Sequence, residues 1–175
     1  MIHKLIFTVC FAFVLLSVGL TKGNHKRVDK EVKKFFSIEK CDLIAVEIDS
    51  KFTTELPSKF NDNNLFKIQA NNSILGYAYI ASAPSKTAEF DYLILFDNEW
   101  VILKSSVLIY REEYGGEIGS KRWLKQFDGK KSSDELIYGD NIIAISGATI
   151  SVKSMTNAVN NVLKSIKILR QNKQL

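Results

Sequence analysis

The residues whose types and spacing could do chemistry are concentrated late in the chain, in Ile145-Ser146-Gly147-Ala148-Thr149-Ile150-Ser151. The run reads as the joint between a strand and a helix. Gly147 allows the backbone a sharp turn or a close approach to a ligand. Ala148 adds little bulk. Thr149 and Ser151 fall where the helix begins, and there the first N–H groups have no partner inside the helix and the dipole favours anions. A phosphate at such a place is held by backbone donors. A hydroxyl there can carry or contact a phosphate group. The same residues also read as an ordinary helix cap, because Ser or Thr before an apolar periodic run is a standard N-terminus.

Other chemistries have little to work with. One of the two histidines, His3, sits near the start of the chain and the other, His25, follows soon after, which argues against a His-based triad or a His-ligated metal. The two cysteines are Cys10 and Cys41. Removal of an N-terminal segment would leave Cys41 alone, and one thiol makes no internal disulfide; a buried, inert Cys41 is expected. No CxxC pair, CxxCH or GxGxxG is present. The net charge of +5 is spread from Lys22 to Lys173 among acids, unlike the clustered charge of a nucleic-acid binder.

Met1 to Gly23 reads as an address. Lys4 supplies a short positive region, Leu5 to Leu20 is 16 residues without charge, and Ser17-Val18-Gly19 offers a cleavage site. The stretch is short for a span of about 20 apolar residues, yet it could serve as an uncleaved anchor. Cys10 is not a lipoprotein cysteine, since Phe7-Thr8-Val9 before it lacks small residues. The expected organisation is a signal peptide or anchor over 1–23 and one domain over 24–175, exported to the periplasm or the outer face of the membrane.

The elements around the motif follow from periodicity. His25 to Glu39 reads as a helix with Val28, Val32, Phe35 and Phe36 on one face. Strands are expected at Leu43 to Ile48, Leu65 to Ile68 and Ile74 to Ala81, the last two joined at Asn71-Asn72-Ser73 as a hairpin. Ala83 to Lys86 reads as a loop. Phe90 to Phe96 and Trp100 to Tyr110 turn at Asp97-Asn98-Glu99, and their apolar character puts both mid-sheet. Ile118 to Phe127 is a short helix with Trp123, Leu124 and Phe127 inward, and Asn141 to Ile145 a last strand. Thr149 to Gln171 is a long amphipathic helix whose stripe runs through Val152, Met155, Val159, Val162, Ile166 and Leu169. The stripe suits core packing, with a dimer face as the alternative. Lys164, Lys167, Arg170 and Lys173 suit the negative end of that helix. Hairpins outnumber any βαβ pattern, so the fold class is α+β, a mainly antiparallel sheet packed on a long C-terminal helix and shorter helices.

Two stretches carry a family resemblance. Ile145 to Ser151, with Ala158-Val159 following on the helix, resembles the signature of the FMN-binding domain family, which includes flavin-carrying subunits of the Rnf complex and of the sodium-pumping NADH:quinone reductase. Tyr110-Arg111-Glu112-Glu113-Tyr114-Gly115-Gly116-Glu117-Ile118-Gly119, then Trp123-Leu124-Lys125-Gln126-Phe127-Asp128-Gly129-Lys130, resembles the family's glycine segment and its Trp and Gln-Phe-x-Gly, with Glu113 and Tyr114 where Thr and Pro are usual. The likeness covers roughly residues 74–164. It implies FMN esterified through its phosphate to Thr149 by a flavin transferase. It implies cofactor contacts from Ser146, Gly147, Ala148, Ser151, Glu112, Gly115, Gly116 and Trp123. Three residues before Ser146, where the family often has an acid that the transferase recognises, this chain has Ile143; its nearest acid is Asp140.

Such a domain is expected to be an electron carrier between membrane or exported redox partners, the cofactor supplying the chemistry. Tyr77, Tyr79, Tyr92 and Tyr110 are candidate walls for the flavin ring and equally candidates for core; Lys121 and Arg122 could offset its charge. The competing readings are a small exported flavin-dependent reductase, for which no catalytic acid or base stands out, and a flavin-free interaction module of the same fold.

Overall fold

A computed structural model describes residues 22–175. The expected address over 1–23 therefore lies almost wholly outside the described residues. No helix among those described is long and apolar enough to cross a membrane.

Five strands form one antiparallel sheet in chain order: β1 (Asp42–Ala45), β2 (Leu65–Ala70), β3 (Ser73–Pro84), β4 (Glu89–Phe96) and β5 (Ile102–Ile109). The β2–β3 hairpin closes on Asn71 and Asn72, whose φ values of 49° and 61° suit the left-handed two-residue turn that matches strand twist. Further along β3, Gly76 (φ 147°) sits so close to β4 that a Cβ would run into the Phe96 carbonyl oxygen.

Helix α1 (Lys22–Phe36) covers one sheet face and α4 (Thr149–Gln171) covers the other. A short α2 (Ser50–Thr53), capped by Asp49, was not anticipated. Between β5 and α4 the chain runs through a 3-10 turn (Gly116–Gly119), α3 (Lys121–Leu124) and a second 3-10 turn (Lys125–Phe127). The α4 bounds match the expected ones, and all six stripe residues are buried in the sheet-facing core.

Three expectations are corrected. Ala83 and Pro84 belong to β3, because Ala83 pairs with Phe90 and Pro84 with Glu89. β4 does lie inside the sheet, but β5 is an edge strand. Residues 141–145 form no strand. A single bridge joins Tyr138 to Ile142, and side chains take the place of a ladder: Gln126 Oε1 accepts from the Ile143 N–H at 2.7 Å, and Trp123 Nε1 donates to the Ile143 carbonyl at 2.7 Å.

Candidate functional site

The start of α4 is the centre of the site. Gly147 takes a left-handed turn (φ 79°) with open space where a side chain would be. Ala148 is buried and stands at the N-cap position, contributing no side-chain cap. Thr149 is the first helical residue, not the cap. It is exposed, and among the described residues its hydroxyl has no hydrogen-bond partner. The helix's first internal bond from this end runs from Val152 N–H to the Ala148 carbonyl. The N–H groups of Thr149, Ile150 and Ser151 are left without a partner among the described residues, as a helix end without a cap requires. Ser146 is also exposed. Ser151 is buried instead, and its hydroxyl lies 3.0 Å from Tyr110 Oη.

The glycine segment meets this helix end. Gly115 (φ 81°) packs against Ala148: a Cβ on Gly115 would lie 2.9 Å from the Ala148 Cβ and 3.0 Å from Tyr110 Oη. Tyr110 Oη also donates to the Tyr114 carbonyl at 3.1 Å, tying both ends of the segment to one point. Gly116 opens the 3-10 turn and has nothing near its missing Cβ. The structure thus brings Tyr110, Gly115, Ala148 and Ser151 together.

Two expected contacts are committed elsewhere. The Glu112 carboxylate accepts from Ser85 Oγ (2.6 Å), the Thr87 N–H (2.7 Å), Thr87 Oγ1 (2.8 Å) and the Ala88 N–H (3.1 Å). These donors, Ser85 first, hold its pKa down at about 2. Glu112 shapes the β3–β4 turn. Trp123 is buried, edge-on to Phe127 with ring centres 5.3 Å apart, and its indole N–H is spent on Ile143. Together with Gln126 it pins the backbone just before the motif and leaves the Ile143 side chain 68% exposed.

The tyrosines divide. Tyr79 and Tyr92 are core, and burial pushes both hydroxyls above the ordinary tyrosine range. Tyr77 stacks on Trp100 at 4.2 Å. Only Tyr110 reaches the site. Lys121 and Arg122 are exposed. Cys41 is half-buried beside Asp29; burial first, then that carboxylate, pushes its thiol pKa up. No group of His, Cys, Asp and Glu that could hold a metal ion occurs among the described residues.

The residues present fit a flavin nucleotide. Free backbone donors and a free hydroxyl suit a phosphate. A planar ring needs apolar walls, and three of the seven exposed large apolar side chains (Tyr114, Ile143 and Ile150) lie on the segments that meet here. Sequence reasoning passed over Tyr114 and Ile150, since nothing in a sequence marks an apolar residue as exposed. A larger open groove of about 1150 Å³ runs between β3, β4 and the middle of α4, lined by Tyr79, Tyr92, Arg111, Asn157 and Asn161. None of the expected cofactor contacts lines it.

Comparison with known proteins supplies a family and a fold. The model of the FMN-binding domain family matches residues 86–164. The fold is similar to the crystal structure of Shewanella oneidensis NqrC, with a TM-score of 0.58 and 15% identity over 87% of this chain and all of that one. No curated protein matches the chain. The matched residues contain both the glycine segment and the start of α4, and residues 86–164 are thus an FMN-binding domain, with FMN as its cofactor.

Proposed function

We propose that the protein is an exported electron carrier whose FMN is joined through its phosphate to Thr149 Oγ1. The observation that carries the reading is the exposed, unpartnered Thr149 hydroxyl beside three free N–H groups. A threonine acting as a cap would have turned its oxygen onto those donors; this one leaves both hydroxyl and donors to a ligand. The N–H groups of Thr149 to Ser151 would bind phosphodiester oxygens, favoured by the helix dipole. Gly147 lets the chain pass without crowding them. Tyr114 and Ile150 would line the ring, and Tyr110 holds Gly115 and Ser151 in register. Bound FMN supplies one- and two-electron chemistry. The protein's partners would be membrane or exported redox proteins, with a flavin transferase for maturation.

Flavin fluorescence of the denatured protein after co-expression with a flavin transferase tests the linkage. The wild type should fluoresce on a gel and Thr149→Val should not. Ile143→Asp, which restores an acid at an exposed position, should raise the loaded fraction. A dark wild-type band beside FMN binding by the native protein would replace the covalent reading with a noncovalent one. A bright Thr149→Val band would move the attachment to another residue.

A further inference from the structure

A second surface lies along the open edge of the sheet, lined by none of the expected cofactor contacts. The outer side of β5 is bonded only at its start, where Ile102 N–H donates to the Lys130 carbonyl (2.8 Å) and the Ile102 carbonyl accepts from Gly129 (2.7 Å). Over residues 103–108, β5 has no hydrogen-bonding backbone neighbour but β4 among the described residues. This open stretch floors a groove of about 650 Å³. One wall is α1 and the other is α3 with the 3-10 turns beside it, on opposite faces of the sheet.

The walls are basic on both sides. Arg27, Lys30 and Lys34 come from α1, Lys121 from α3, Lys125 from the 3-10 turn after it, and Lys104 from the floor. Only two acids, Glu31 and Asp128, accompany these six cations, and Glu31 is taken by Lys104 at 2.6 Å. The other five cations have no ion-pair partner among the described residues. Ser105, on the floor, carries a buried hydroxyl without a hydrogen-bond partner, a rarity in folded proteins.

We propose that this groove binds an extended acidic segment of a partner protein, which adds to β5 as a sixth strand. Main-chain bonds to an open edge give such an occupant its affinity. Its side chains would alternate between the two faces, one set meeting Arg27, Lys30 and Lys34 and the other Lys121 and Lys125. Acids at neighbouring positions would therefore all find cations. A second copy of this chain does not fit, because two lysine-lined edges repel, which is how natural edges avoid self-pairing. Residues 1–21 contain no Asp or Glu and lack the complementary charge.

The inference is independent of flavin attachment and is testable on the Thr149→Val protein. The probe is a short fluorescein-labelled peptide of Glu, Thr and Val. Binding should raise its anisotropy, slow amide exchange across residues 103–108, and weaken with salt as screened charge pairs do. Lys30→Glu combined with Lys121→Glu should weaken it by about tenfold or more, and N-methylation of the peptide backbone should abolish it. No binding at low salt would overturn the proposal. So would equal binding of the N-methylated peptide, which marks charge attraction without strand pairing. Binding of phosphatidylglycerol vesicles at this face, with the peptide inert, would make it a membrane contact instead.

Discussion

The two faces of the sheet are built to different depths. The α4 face buries 24 residues in one cluster, eight of them aromatic, including Phe90, Phe96, Trp123 and Phe127. The α1 face buries eight, with Phe66 the only aromatic. The thick side holds the start of α4 in place against Gly115 and Tyr110. The thin side is a cover whose outer rim stays open along β5. Burial here tracks what must be held still: the candidate flavin site rests on the deep core, and the basic groove spans the rim where the two faces meet.

Neighbouring residues of β4 put that contrast to the test. Ile94 points into the α4 core and Leu93 into the α1 core, and both are fully buried. Truncating an aliphatic side chain to Ala costs about 2–5 kcal/mol, the spread depending on how far the site can collapse. Ile94→Ala should fall in the upper part of that range, since its neighbours are locked from several elements. Leu93→Ala should fall in the lower part, since α1 can settle onto the sheet. Denaturant unfolding of the two variants measures the difference. Equal losses would mean the faces are equally rigid, and the depth argument would fail.

The strongly periodic parts of the molecule were legible in the sequence. The α4 stripe repeats over many turns, and Asn71-Asn72 marks a hairpin chemically, so both were placed from residues alone. β5 misled because its apolar character reports burial on two faces. It is covered on two faces, by α1 and by α3, but only partly buried there, and its edge is open; sidedness and position in a sheet are separate facts, and periodicity sees only the first. Residues 141–145 misled for a different reason. Their β-branched composition suits a strand, but the bonds of Ile143 go to the Trp123 and Gln126 side chains, a long-range arrangement no local pattern encodes. At the site, Thr149, Gly147 and Gly115 were readable because a helix start and left-handed turns have residue signatures. The commitment of Glu112 to the β3–β4 turn was not, since its partners lie 24–27 residues away.

Two glycines sharpen the comparison at smaller cost. Gly115 and Gly147 both adopt left-handed backbone, φ 81° and 79°. A side chain in that region costs about 1–2 kcal/mol. Only Gly115 has neighbours within reach, Ala148 and Tyr110. Gly147→Ala should lose that conformational amount and still load FMN. Gly115→Ala should lose as much or more and load poorly, because the segment must back away from α4. Thermal melts with FMN content of the purified variants separate the two. Comparable FMN content in both would show that the Gly115–Ala148 contact does not shape the site.

The smallest effect is expected from acid. Glu112 has its pKa depressed to about 2 by Ser85, Thr87 and Ala88. A depressed carboxylate contributes stability that is present above its unfolded pKa, near 4.5, and lost as pH falls towards 2. The turn it anchors should therefore stay intact at neutral pH and loosen only in strong acid, while the cores on either face persist. The Thr87 and Ala88 amide resonances should titrate with a midpoint near 2, and Glu112→Gln should remove the titration while leaving the turn partly bonded. If those amides titrated instead near 4.5, the carboxylate would be free in solution, and the β3–β4 turn would stand without it.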